Sequence, residues 1–245
     1  MKQAVILAAG LGSRLAPYAP MPKPLVPVGG RALLLWALQA AEYAGCQEAI
    51  IVLGYRAQEV QQAVAAQYGG PLRLRYAYNP DFRKQNGLSV LAARSYLHGA
   101  FLLLMSDHVV EPEAVERFRY REPVQRGVLL LVDSRLEQIV DPADATKVRV
   151  HNGKILAIGK ELTDYNAVDT GIFLATLELV EALAAVERRY GDVSLTAGVQ
   201  ELALRGHAEA EELGEFFWQD VDTAETYAVA ERWARQRRAQ RYSER

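Results

Sequence analysis

Cysteine is almost absent from this chain of 245 residues: Cys46 stands alone. One thiol closes no intramolecular disulfide and builds no multi-cysteine zinc site. It follows Gly45 in an alanine-rich stretch, where a lone cysteine ordinarily packs as a small apolar side chain. Long apolar runs are missing as well. Residues 101–105 and 128–132 are short examples, far below the roughly 20 residues that span a bilayer. Neither sign of charge dominates: 28 Lys plus Arg stand against 30 Asp plus Glu, for a net charge of -2. Without a general basic field, broad nucleic-acid binding is excluded on charge. The local basic stretch over 232–245 reads as a solvated helix. There is no charged leader, apolar segment and cleavage site at the start, since Met1-Lys2-Gln3 runs directly into AVILAAG. The expectation is a cytoplasmic protein folded as one domain over residues 1–245. Half of the residues are hydrophobic, enough for a sizeable core.

Apolar runs and helical periodicity alternate over the first 110 residues. Strands are expected at 4–8, 48–53, 72–78 and 101–105, and helices at 32–43, 57–67 and 88–96. Such alternation implies an α/β fold with a mostly parallel sheet covered on both faces. After Asp107 the rhythm changes. Strands are expected at 127–133, 147–151 and 154–158, with Asn152-Gly153 as a tight hairpin turn. This β-rich segment ends in a strand at 171–175, and helices follow at 177–189, 195–205 and 223–241. The fold class is therefore α/β, Rossmann-like and mixed, with a small β-rich insertion.

Chemistry concentrates at the first strand-to-loop junction, Leu7-Ala8-Ala9-Gly10-Leu11-Gly12-Ser13-Arg14-Leu15. Glycines there let backbone N–H groups approach phosphate oxygens, and Arg14 adds a forked, permanently charged donor. A dinucleotide fingerprint would need a third glycine where Arg14 stands and an acid near the end of the second strand, which instead reads Val52-Leu53-Gly54. A P-loop would need Gly-Lys-Ser/Thr, whereas Lys23 sits between Pro22 and Pro24. Two prolines restrict the backbone and aim that cation at one place; an ordinary extended loop with a solvated lysine is the plainer alternative.

Together, LAAGLGSRL and MPKPLVPVGG resemble the signature loop of the sugar-phosphate nucleotidyltransferases, whose fold is GT-A-like. Further matches run down the chain: Asn86-Gly87-Leu88-Ser89, Leu104-Met105-Ser106-Asp107-His108, Asp169-Thr170-Gly171-Ile172-Phe173, and Trp218-Gln219-Asp220-Val221-Asp222-Thr223-Ala224-Glu225. Ala224 stands where the family usually has proline. Ser106-Asp107-His108-Val109, with Lys147-Val148, residues 158–162 and residues 165–171, resembles the CTP:inositol-1-phosphate cytidylyltransferases within that family.

The resemblance implies a site. Leu7, Ala8, Ala9, Gly10, Leu11, Gly12 and Ser13, with Asn86, Gly87, Ser89 and Ser106, would bind the nucleotide. Arg14, Lys23 and Asp107 would be the catalytic residues, and Lys160, Glu161, Asp169 and Gly171 would meet the acceptor. Mg²⁺ would be held by Asp107 with Asp222 or Asp220. The residue chemistry agrees: Asp107 lies past the carboxyl end of an apolar strand, where open α/β sheets place ligands, and magnesium is content with a few carboxylates plus substrate phosphates. Plainer roles stand beside these. Asp107 and Asp222 suit helix N-caps, Glu225 sits at capping-box spacing, and His108 suits a packed core histidine. The implied activity is transfer of CMP from CTP to inositol-1-phosphate with release of pyrophosphate. Alternatives are uridylyl or thymidylyl transfer to a hexose-1-phosphate, cytidylyl transfer to phosphocholine or a phosphonate, and a non-catalytic nucleotide-binding subunit. The product would pass to a separate membrane CDP-alcohol transferase; the oligomeric state is open, a homodimer included.

Overall fold

A computed structural model describes residues 2–15, 17, 20–122 and 124–243, the last three by backbone alone. The chain opens with β1 (Gln3–Ala8), buried at every position. The short pair β2 (Pro27–Val28) and β3 (Arg31–Ala32) leads into helix α1 (Leu33–Tyr43). β4 (Glu48–Leu53), α2 (Ala57–Gln67), β5 (Arg73–Tyr78), α3 (Gly87–Ala92) and β6 (Phe101–Met105) complete the alternating half. In that half, β1 pairs in parallel with both β4 and β6, and β4 with β5. The helix expected at 88–96 is interrupted after Ala92, and a 3₁₀ turn covers 94–96.

Beyond β6 come β7 (His108–Val110), β8 (Val128–Asp133), β9 (Lys147–His151), β10 (Lys154–Gly159) and β11 (Ala167–Ala175). Helices α4 (Leu177–Tyr190) and α5 (Leu195–Leu204) follow, then β12 (Ala208–Glu212), β13 (Trp218–Asp220) and helix α6 (Ala224–Ser243). The β-rich segment does not stand apart. Its strands extend one nine-stranded sheet in the order β5-β4-β1-β6-β11-β8-β12-β10-β9. Past β6 the pairing turns antiparallel, apart from β12 on β8. At the β9–β10 turn Asn152 and Gly153 both take positive φ, 49° and 72°, as a tight hairpin requires.

Period-two alternation sends neighbouring residues to opposite faces. Val5 and Leu7 join the core under α3, α4 and α5, while Ala4, Ile6 and Ala8 join the core under α1 and α2. Polar groups at the strand starts pair with one another: buried Gln3 donates to Glu48 at 2.7 Å, and Arg75 reaches the same carboxylate at 2.5 Å. α4 is capped by Thr176 and ends at Gly191 in the left-handed conformation, and Ser194 caps α5. A third core joins Leu15, Val28 and Trp36 to Val109, Val221, Ala230 and Ala234, so α6 packs back on the loops that follow β1. The basic stretch is thus only partly solvated. Trp233 stacks on Phe217 at 4.4 Å, and Arg237 pairs with Glu111 and Glu113. Glu244 and Arg245 lie outside the described residues.

Candidate active site

The glycine loop and the Lys23 segment meet in space. Gly12 takes φ +61°, and a Cβ there would stand 2.5 Å from Lys23 Cβ, so only glycine lets the loop cross the lysine side chain. Pro22 and Pro24 frame a 3₁₀ turn that carries Lys23 inward, leaving it 7% exposed. No fold contact demands the other glycine, Gly10: nothing lies within 4 Å of where its Cβ would be.

Lys23 gathers three carboxylates from distant segments. Its Nζ donates to Asp107 Oδ2 at 2.7 Å and to Asp222 Oδ1, and stands 3.7 Å from Asp220 Oδ1. Burial alone would favour the neutral amine, but Asp107, Asp220 and Asp222 together hold it protonated well above the ordinary lysine range. Asp107 feels the converse. Burial pushes its carboxyl up, yet Lys23 and His108 hold it far below the usual carboxylate range. Asp220 lacks such support. Burial, with repulsion from Asp107 and Asp222, outweighs His108 and Lys23 and raises it to about 7. Its Oδ1 is shielded from solvent and has no hydrogen-bond partner among the described residues.

Neither aspartate serves as a plain cap. Asp107 leads from β6 into β7, not into a helix. At the start of α6, Thr226 N donates to Thr223 Oγ1 while Thr226 Oγ1 accepts from the backbone of Asp222 and Thr223. Thr226, rather than Glu225, is the reciprocal partner, and the Asp222 carboxylate is left to Lys23 and Arg14.

His108 is partly buried, its imidazole 6.1 Å from the Trp218 ring and nearly parallel to it. Burial would lower its pKa, but Asp220 and Asp107 raise it to about 9. An ionised carboxylate only accepts, so Nδ1 is the donor to Asp107 Oδ1, at 2.9 Å. Asp133 accepts from Trp218 Nε1 at 2.8 Å and from Arg135, anchoring that ring.

A second charge group borders the first. Asp144 accepts from Arg14 through Oδ2 at 2.7 Å and from Lys160 through Oδ1 at 2.5 Å. Asp107, His108, Asp222, Asp144, Lys160 and Asp169 share one cavity of about 550 Å³ at the carboxyl ends of β1 and β6 and the amino-terminal half of the antiparallel β11. Asp169 accepts from Gly171 N at 2.7 Å, and burial pushes its carboxyl up to about 6 against that bond and the His108 charge.

The donor set fits a hard divalent cation. Ligand atoms of Asp107, His108 and Asp220 lie within 4.8 Å of one another, as do those of Asp144, Asp220 and Asp222. The shared member is Asp220, whose orphaned oxygen is the kind of group a cation satisfies.

Arg14, Lys23, Asp107, Asp220 and Asp222 are thus brought together, with Lys160, Asp169 and Gly171 in the same cavity. Other expected residues are placed differently. Glu161 is exposed and does not border the cavity, although its neighbour Lys160 does. Ser89 is buried and its hydroxyl accepts from Asn79 Nδ2 at 3.0 Å, so it braces the loop instead of facing a base. Asn86 borders the cavity while its Oδ1 accepts from Leu195 N at 2.8 Å. Leu7, Ala8, Ala9 and Ser106 are buried at the strand ends, and Ser106 N donates to Leu7 O. Gly87 packs under Val193, to whose carbonyl its N–H donates at 3.0 Å. Leu11 and Ser13 remain beside Arg14 at the loop surface. Asp144, Asp133 and Trp218 were not expected as site-bordering groups from local pattern.

Comparison with known proteins follows the same lines. The family model described as "MobA-like NTP transferase domain" matches residues 4–150. The chain is 35% identical over 233 residues to the "Bifunctional IPC transferase and DIPP synthase" of Rubrobacter xylanophilus, covering 93% of this chain and 51% of that protein. It is 32% identical over 236 residues to the "CMP-5'-(3-aminopropyl)phosphonate synthase" of Streptomyces rubellomurinus, covering 90% of this chain and 37% of that one. The chain therefore spans about half or less of these curated relatives. The solved inositol-1-phosphate CTP transferase from T. maritima superposes with a TM-score of 0.81 at 24% identity, over 94% of this chain and 95% of that one. At that identity the likeness speaks for the fold, a GT-A-like mixed sheet flanked by helices.

Proposed function

Since the chain belongs to the MobA-like NTP transferase family, we propose that it transfers the cytidylyl group of CTP to inositol-1-phosphate, giving CDP-inositol and pyrophosphate. The observation that carries this reading is Lys23, buried among Asp107, Asp220 and Asp222 directly beneath the glycine loop. A triphosphate is the ligand whose charge such a mixed cluster suits, once a divalent cation joins it. The names of the relatives support the choice of acceptor.

An oxygen of the acceptor phosphate attacks the α-phosphorus of CTP and forms the new P–O bond. The bond to the bridging oxygen breaks, and pyrophosphate leaves with that electron pair. No general base is needed, because the attacking phosphate is already an anion. Rate enhancement then comes from positioning and charge neutralisation. Backbone N–H groups of residues 10–13 would face the triphosphate, with Arg14 and Lys23 opposite the charge that grows on the leaving oxygens. Lys160 would meet the acceptor phosphate, and the carboxylate of Asp169 a hydroxyl of its ring. Asp107 and Asp220 would hold Mg²⁺, which supplies positive charge to the phosphate oxygens, while Asp222 stays with Lys23 and Arg14.

No helix among the described residues is long and apolar enough to cross a membrane. In this reading the protein works in the cytoplasm, and its product feeds a membrane CDP-alcohol transferase.

The test is pyrophosphate release with Mg²⁺, crossing CTP, UTP, dTTP, GTP and ATP with inositol-1-phosphate, glucose-1-phosphate, phosphocholine and 3-aminopropylphosphonate. Release with CTP and inositol-1-phosphate is expected. Release only with UTP or dTTP and the hexose phosphate, or only with the phosphonate, would overturn the acceptor assignment.

A further inference from the structure

His108 belongs to the segment Ser106–Val109, yet nothing in the transfer chemistry above uses it. The fold nevertheless spends three separate devices on this ring. The first is in β11, whose pairing with β8 shifts register between Asp169 and Phe173. Inside that irregularity Gly171 adopts φ +75°, and a Cβ there would stand 2.8 Å from both Cδ2 and Nε2 of His108. A side chain at this position would evict the imidazole, so the bulge and its glycine keep a space for the ring. The second is Trp218, lying nearly parallel to the imidazole and itself tied to Asp133. The third is the β7–β13 pairing, which sets His108 directly opposite Asp220.

The outcome is a single hydrogen bond, from Nδ1 to Asp107 Oδ1 at 2.9 Å. Asp107 thereby has both oxygens assigned: Oδ1 to His108 and Oδ2 to Lys23 Nζ. A carboxylate with one free oxygen would rotate about its terminal bond, and a cation bound to it would lose its geometry. Groups that hydrogen-bond a ligating carboxylate fix its orientation in this way.

We propose that His108 is a positioning residue that locks Asp107 through its Nδ1 and so sets the geometry with which Asp107 meets a divalent cation. The proposal deepens the functional reading and rests on it for the role of Asp107, but not for the nature of the acceptor.

Two amide substitutions separate the ring nitrogens. The amide of asparagine reaches the place of Nδ1, whereas that of glutamine reaches the place of Nε2. The full-length chain carrying His108→Asn or His108→Gln would be titrated with Mn²⁺ alone and followed by electron paramagnetic resonance, with no nucleotide or acceptor present. His108→Asn should bind within about three-fold of the parent, and His108→Gln about ten-fold more weakly. In turnover, the same ranking should appear in kcat, with KM for the acceptor little changed. Equal weakening of both variants, the reverse ranking, or parental binding by both would overturn the proposal. Because Mn²⁺ binding is read without an acceptor, a wrong acceptor assignment would silence the turnover arm and leave the binding arm intact. Should either variant fail to fold, the parent chain still decides. Long-range ¹H–¹⁵N correlation should find the His108 nitrogen facing Asp107 protonated, and a bare Nδ1 would refute the lock.

Discussion

Gly12 and Lys23 approach so closely that a Cβ on the glycine would stand 2.5 Å from Cβ of the lysine. The glycine loop and the buried cation are therefore one packed unit. Gly12→Ala adds a left-handed strain of about 1–2 kcal/mol and pushes on Lys23. A misplacement near 1 Å at a reacting centre costs roughly a hundred-fold in rate. Turnover should fall by about that factor while circular dichroism shows the fold retained; turnover near the parental value would refute the coupling.

Lys23→Met removes the cation from among three carboxylates. Losing one partner of a buried pair costs about 3 kcal/mol, or roughly 6–12 °C in melting temperature for a chain of this size. Turnover should vanish, and millimolar Mg²⁺ or Mn²⁺ should restore much of the lost melting temperature. Calorimetric scans with and without the metal check this.

In the parent chain the same lysine, with His108 on Asp107 and Arg14 on Asp222, neutralises these carboxylates without a metal. Chelation with EDTA should therefore abolish turnover and leave the melting temperature almost unchanged. A large fall in melting temperature would mean that the metal is structural.

Asp169 sets a pH dependence. Its folded pKa, about 6, lies above the unfolded value near 3.8, so the folded state holds its proton longer. Stability from this group falls as pH rises from about 4 to 6 and is level above that, by at most about 3 kcal/mol. Asp169→Asn keeps an acceptor for Gly171 N and removes the titration. Urea unfolding at pH 4, 5, 6 and 7 should show the variant gaining stability relative to the parent as pH rises to 6, and a difference independent of pH would assign the effect elsewhere.

In the proposed reading Asp144 would compete with substrate phosphate for Arg14 and Lys160, both about half exposed. Ion pairs of that exposure are worth up to about 1 kcal/mol. Asp144→Asn should lower KM for nucleotide and acceptor by roughly two- to five-fold, with kcat little changed. A collapse of kcat would instead make Asp144 a cation ligand.

Much of this architecture is legible in the residues. Strand 48–53, helix 57–67 and strand 101–105 form over the residues their periodicity marks, because each carries a full apolar face of its own. The charged groups of the glycine loop, Lys23 and the three aspartates follow from motif and resemblance. β12 escapes such reading: its sequence AEAEE has little strand propensity, and it becomes a strand because β8 offers a parallel edge. β7 and β13 are three residues each and exist only as partners of one another. Asp144 carries no local signal, since its meaning depends on Arg14, 130 positions away. Glu161 is the opposite case, a residue expected from a pattern that the fold leaves exposed and outside the cavity.

Lys23 meets Asp107 across 84 positions and Asp222 across 199, and Arg14 meets Asp222 across 208. Contacts of such separation are slow to form, and here they gather charged groups instead of burying apolar surface. β1, β4, β5 and β6 all precede residues 218–222 and can pair before them, so closure of the charge cluster belongs late in folding. A nascent chain that has not yet emitted residues 218–222 would hold Lys23 beside Asp107 alone. Catalytic competence would then arrive only once residues 218–222 have been made, when β13 docks on β7 and α6 covers the loops behind it.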